Sequence, residues 1–161
     1  MEKNINDKLK SKKEYYFRQY YNQSEVIRKR REIIEELNLT KKEIIENPVY
    51  LGAINYDDMP HNPNVNINSM LDKIIKTDDK IENIDNKIIK QMKQLDNDMA
   101  VFEKIDDMLK ELTENQSKIF ECFYKEKMRV TEVAYTVGLT ERAVLYIKRE
   151  ILNKANFFQE D

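Results

Sequence analysis

Glycine occurs twice in 161 residues, proline three times, cysteine and histidine once each, and tryptophan not at all. So few turn formers exclude a compact mixed fold, which needs many more reversals, and favour long helices. Two isolated glycines also exclude a glycine-rich loop that cradles phosphate. The single cysteine, Cys122, cannot close an internal disulfide and fits a reducing compartment. His61 is the only histidine and sits in a loop-like stretch, so no metal site can be assembled around it. No apolar run approaches a membrane span, and Met1–Lys13 is polar and lysine-rich without the apolar core of a signal peptide. The expectation is a cytoplasmic protein that needs no membrane, metal or cofactor. No catalytic constellation is present, so an enzyme is not expected.

What the chain does have is charge and periodicity. Charged residues make up 36% and hydrophobic residues 40%, with a formal net charge of −2. That balance argues against a general nucleic-acid coat but leaves open a local basic face, because the field of the patch is what a partner meets. Neither glycine nor proline occurs from Asp7 to Glu46 or from Asn66 to Lys110. Between them, Pro48 to Asn64 holds all three prolines and Gly52.

Along the second breaker-free segment, Ile67, Leu71, Ile74, Asp78, Ile81, Asp85, Ile88, Met92, Leu95, Met99, Phe102, Asp106 and Leu109 alternate by four and three residues, the period of a coiled-coil seam. Ile75, Ile84, Ile105 and Met108 widen the stripe beyond what one partner requires, which points to self-association. The first segment carries a weaker version through Tyr16, Tyr20, Gln23, Ile27, Arg30, Ile34, Leu37, Lys41 and Ile44. At about 1.5 Å per residue the two would be roughly 60 and 68 Å long, matched for an antiparallel hairpin. Folding about Asp57 would set Asp85 opposite Arg30 and Leu95 opposite Tyr20, an ion pair fixing the register. Thr40 and Glu43 have capping-box spacing, so the first helix is expected either to kink there or to continue.

The last third is patterned differently. Thr113 and Gln116 have capping-box spacing and open a helix buried through Leu112, Ile119, Cys122 and Phe123. Met128–Val137 reads as a short helix with Met128, Val133, Ala134 and Val137 inward. Gly138 suits the left-handed position after a helix end, Leu139 is expected to plug the core, and Thr140 caps a last helix with Val144, Ile147 and Ile151 inward. Small Ala134, turning Gly138 and the pair Leu139 and Val144 predict a helix-turn-helix, whose second helix enters a major groove. From Lys125 to Lys154 seven basic residues face four acidic ones, a local surplus of three. The candidate DNA-contacting residues are Arg129, Thr140, Glu141, Arg142, Leu145, Tyr146, Lys148 and Arg149. Arg142 and Arg149 are the choices for base edges or phosphates, since arginine bonds guanine with two parallel hydrogen bonds. Tyr146 would pack on sugar or a thymine methyl. Lys125, Lys127, Arg129 and Lys148 would position the backbone.

Leu112–Tyr124, Val130-Thr-Glu-Val-Ala134, Val137-Gly-Leu-Thr140 and Val144 together resemble region 4 of bacterial sigma factors, over about a third of the chain. The upstream part, with Met59-Pro60 in its loop, resembles sigma-like late-transcription regulators of phages and prophages of Firmicutes. The resemblance implies regulation of phage or prophage transcription. No region 2 is recognisable, so promoter melting is not implied. The expected architecture is all-α, a helical hairpin over 1–110 with its loop at 48–65 followed by a helix-turn-helix over 111–161. Double-stranded DNA would be the partner, with the hairpin supplying dimerisation or contact with RNA polymerase. Two rival readings are a DNA-packaging adaptor like a small terminase subunit and a coiled-coil interaction protein that never touches DNA. Arg28-Lys-Arg-Arg31 reads first as a solvated helix face. Tyr15, Tyr16, Phe17, Tyr20 and Tyr21 read as core or dimer interface.

Overall fold

The structure is a computed structural model that describes residues 2–46 and 67–158, with side chains described for 7–46 and 74–158. The loop expected at 48–65, with Met59, Pro60 and His61, lies outside the described residues. Among the described residues every regular element is a helix: α1 (Glu2–Tyr20), α2 (Gln23–Glu46), α3 (Ile67–Lys110), α4 (Glu114–Tyr124), α5 (Val130–Val137) and α6 (Glu141–Lys154). The protein is all-α, and among the described residues no helix is long and apolar enough to cross a membrane.

The described residues form two compact units, one of residues 2–27 with 97–158 and one of residues 28–46 with 67–96. The division therefore falls near residues 27 and 97, not at 110 as the sequence pattern suggested. Aromatic burial is the reason. α4, α5 and α6 pack on one another, and α1 packs on α4 and α6. Phe17 of α1 is fully buried, with its ring edge-on to Phe120 at 5.1 Å and to Tyr124 at 5.3 Å. Phe102, Ile105 and Met108 from the end of α3 enter the same core as Ile119, Val133, Val144 and Ile151. A module of three short helices buries little surface by itself, and here residues of α1 and α3 enlarge its core.

The hairpin register is corrected in both units. Tyr16 donates to Asp98 Oδ1 at 2.8 Å and Tyr20 to Asp106 Oδ1 at 2.5 Å. Contacts therefore advance in the same sense along α1 and α3, whereas the hairpin required opposite senses and set Tyr20 against Leu95. In the other unit Lys41 bonds both oxygens of Asp85, at 2.7 and 2.8 Å, and Arg30 bonds Gln91 Oε1 at 2.8 Å. Asp85 and Arg30 are not partners. The cause is a turn at Tyr21–Asn22, where Asn22 N–H donates to Gln19 O and Asn22 O receives Glu25 and Val26 N–H. No glycine or proline announces it. Tyr20 and Tyr21 lie edge-on 5.1 Å apart and both approach Phe120, so burial of the pair accompanies the break. Near Thr40, where the sequence allows either a kink or a continuous helix, α2 continues: Asn38 and Thr40 donate back to Ile34 O and Glu36 O.

The buried stripe of α3 keeps Ile88 and Phe102 of the expected seam, while Ile84, Asp98 and Ile105 take the places expected of Asp85, Met99 and Asp106. Ile84, Ile88, Asp98, Phe102, Ile105 and Met108 are buried, while Met92 and Met99 are exposed. Asp98, only 3% exposed, keeps its place because Tyr16 O–H satisfies it. No residue of α2 is buried, and Ile33, Leu39, Ile45, Ile75 and Ile89 are exposed.

Three phenols of the first unit are held protonated. Burial, then the hydrogen bond to Asp106 and its charge, raises Tyr20 far above the usual tyrosine value. Burial and the charge of Glu121 push Tyr21 up to about 12. Burial and the adjoining Glu14 raise Tyr124 well beyond that range. A folded value above the unfolded one, about 10 for tyrosine, gives stability that is complete below about pH 10 and is lost as pH rises through the folded values. Stability is therefore expected to be flat through neutrality and to fall above about pH 10. Phenolate absorbance should show Tyr20, Tyr21 and Tyr124 ionising only as the helices melt.

Candidate nucleic-acid interface

α5 and α6 owe their junction to local chemistry. Gly138 follows α5 at φ 68°, ψ 32°, a left-handed conformation that costs an L-residue about 1–2 kcal/mol. Leu139 N–H then closes on Ala134 O at 3.0 Å. Thr140 caps α6, its Oγ1 accepting from Ala143 N–H at 3.3 Å. The capping box of α4 is present as well, with reciprocal Thr113 and Gln116 bonds of 3.3 Å. Val144, Ile151 and Leu152 bury the inner face of α6.

That burial fixes what the opposite face presents. Arg142, Leu145, Tyr146 and Arg149 recur at three- and four-residue spacing and form one exposed stripe along α6. Leu145 is 49% and Tyr146 62% exposed. Among the described residues, neither guanidinium has an ion-pair or hydrogen-bond partner. Thr140 and Glu141 are exposed at the N-terminal end of the stripe. Six of the eight expected contact residues are thus together on α6 and accessible. Tyr135 of α5, 91% exposed, and Leu139, 37% exposed, add apolar surface around the turn. Leu139 does not plug the core as expected, because the left-handed step at Gly138 leaves it on the turn. Tyr135 was legible: Val133, Ala134 and Val137 face inward, so residue 135 must face out.

Lys148 is set apart from the stripe. Its Nζ lies 3.0 Å from Glu14 Oε1, and it sits 4.7 Å above the Phe123 ring and 5.6 Å from that of Tyr124. Tyr124 O–H donates to the other oxygen of Glu14 at 3.0 Å. Lys148 therefore braces α6 against α1 and does not extend the outer face. Lys154 is likewise engaged, donating to Glu111 O and Gln116 Oε1. Part of the local positive surplus is structural.

A second basic feature adjoins these residues. A cleft of about 670 Å³ is lined by Arg18, Lys127, Arg129, Lys148 and Glu14, with Phe123 and Met128 on its apolar side. Glu14 is balanced by Lys148, which leaves Arg18, Lys127 and Arg129 exposed as the surplus charge. Lys127 adopts φ 55°, uncommon for a residue with a side chain, and Met128 N–H closes the connection on Cys122 O at 2.9 Å. Arg129 stands at the N-cap of α5, its backbone N–H donating to Glu132 Oε2 at 2.7 Å. Arg18 arrives from a hundred residues upstream, and no sequence signal joined it to this group. Cys122 is buried, its thiol pushed up chiefly by burial.

No family model, curated protein or solved structure matches the chain.

Proposed function

We propose that this protein is a non-enzymatic, sequence-specific DNA-binding regulator of transcription that reads a major groove with the exposed stripe of α6. The carrying observation is the pair Arg142 and Arg149, without ion-pair or hydrogen-bond partners among the described residues and two turns apart on the outer face of a helix whose inner face is locked into a core. Such spacing puts both guanidiniums on one side of a rod that fits a groove about 12 Å wide. Leu145 and Tyr146 lie between them and supply apolar contact to sugar or thymine methyls. Thr140 and Glu141 occupy the end of the helix that meets base edges in a helix-turn-helix. The resemblance of 112–152 to sigma region 4 supports the same reading, and with it a role in phage or prophage transcription and contact with RNA polymerase.

The basic cleft complements the stripe. Arg18, Lys127 and Arg129 hold phosphates, which fix register without reading sequence. Arg18→Ala is expected to weaken binding to every duplex alike and to lower the slope of log K against log salt by about 0.9, the release expected for one phosphate contact. Titrations at several salt concentrations read this directly, and an unchanged slope would remove Arg18 from the interface. The proposal as a whole is tested by selection from random duplexes with the full chain. A recurring motif is the expected result, and a pool that stays random would overturn sequence-specific recognition.

A further inference from the structure

We propose that α2 is the contact surface of a homodimer, packed antiparallel against α2 of a second copy. The unit of residues 28–96 leaves a groove of about 440 Å³ floored by Ile34, Leu39, Met92 and Leu95 and edged by Arg31 and Glu35. Leu39 and Met92 are each more than half exposed, and α2 has no buried residue. Apolar surface of this kind, edged by charge, suits a protein partner.

Charge identifies the partner as a second copy. Along α2, Arg28 pairs with Glu32 and Lys42 with Glu46, each four residues on. Arg31 and Glu35 have the same spacing, yet among the described residues they pair neither with each other nor with anything else. The helix is basic from Arg28 to Arg31 and acidic at Glu32, Glu35 and Glu36. A two-fold axis near Ile33 reverses one copy against the other. It sets Arg31 of each opposite Glu35 of its mate, twice over, and Arg28 opposite Asn38. An isologous contact requires such self-complementarity, and flanking charges set orientation in paired helices. The same lines exclude a parallel pair, which would bring basic end to basic end.

This inference stands apart from DNA recognition, because association is measured on the full chain without nucleic acid. Sedimentation equilibrium should show a dimer. Arg31→Glu and Glu35→Arg each replace two attractive contacts by two like-charge ones, and each should raise the dimer dissociation constant about tenfold or more. The double variant R31E/E35R should restore it to within about threefold of the original. Leu39→Asp should abolish association while circular dichroism shows the helix content kept. A monomer at every concentration, a trimer or larger ring, single reversals that dimerise as the parent does, or a double variant as weak as the singles would each overturn the proposal.

Discussion

Phe17→Ala is expected to destabilise the protein by about 3–5 kcal/mol, the range for removing a fully buried aromatic ring. The ring has no exposed surface and meets Phe120 and Tyr124 edge-on, so truncation loses both burial and aromatic contact. A typical domain has about 5–15 kcal/mol in all, and the variant should unfold its first unit roughly 10 °C or more below the parent. The change lies in α1, far in sequence from α6, yet it should also weaken duplex binding near the new transition, because the core that holds Val144 and Ile151 is shared. Thermal melting followed by circular dichroism checks it. A loss under 1 kcal/mol would mean that α4–α6 are stable without α1.

Removing both arginines of the stripe should have the opposite signature, a stable protein that does not read DNA. Each two-pronged arginine contact to guanine is worth about 1–3 kcal/mol of discrimination. Arg142→Ala with Arg149→Ala should therefore cost roughly 2–6 kcal/mol for the preferred site, between about thirtyfold and twenty-thousand-fold in affinity. Both side chains are exposed and neither joins the core, so the melting temperature should hold. Residual binding should be non-specific and depend on salt, carried by Arg18, Lys127 and Arg129. Binding competitions between the selected site and random duplex check this.

The two predictions also mark where the sequence was legible. Thr113 with Gln116, Gly138 and Thr140 act within four residues of themselves, so their caps and turn could be read directly and are present. The all-helical class followed from the breaker-free segments for the same reason. The hairpin register depended on a straight first helix. The turn at Tyr21–Asn22 has no glycine or proline to signal it, and what accompanies it is the packing of Tyr20 and Tyr21 on the distant Phe120. Periodicity placed Asp85 and Asp106 in the seam beside Ile88 and Phe102, but a seam through Ile84, Ile88, Phe102 and Ile105 has the same spacing, and the partner helix decides between them. The candidate site divides along the same line. The outer stripe of α6 follows from its inner apolar residues. Lys148 reads from the sequence as a phosphate-positioning cation flanking the stripe, and Glu14, which engages it instead, is 134 residues away. Arg18 was missed for the mirror-image reason.

The most direct measurement of the central claim is amide chemical-shift mapping of the labelled protein, titrated with the duplex that selection enriches. The account predicts the largest perturbations at Glu141, Arg142, Leu145, Tyr146 and Arg149, with smaller ones at Arg18, Lys127 and Arg129. Perturbations confined to residues 28–96, or a stripe on α6 that stays unmoved while the duplex is bound, would contradict it.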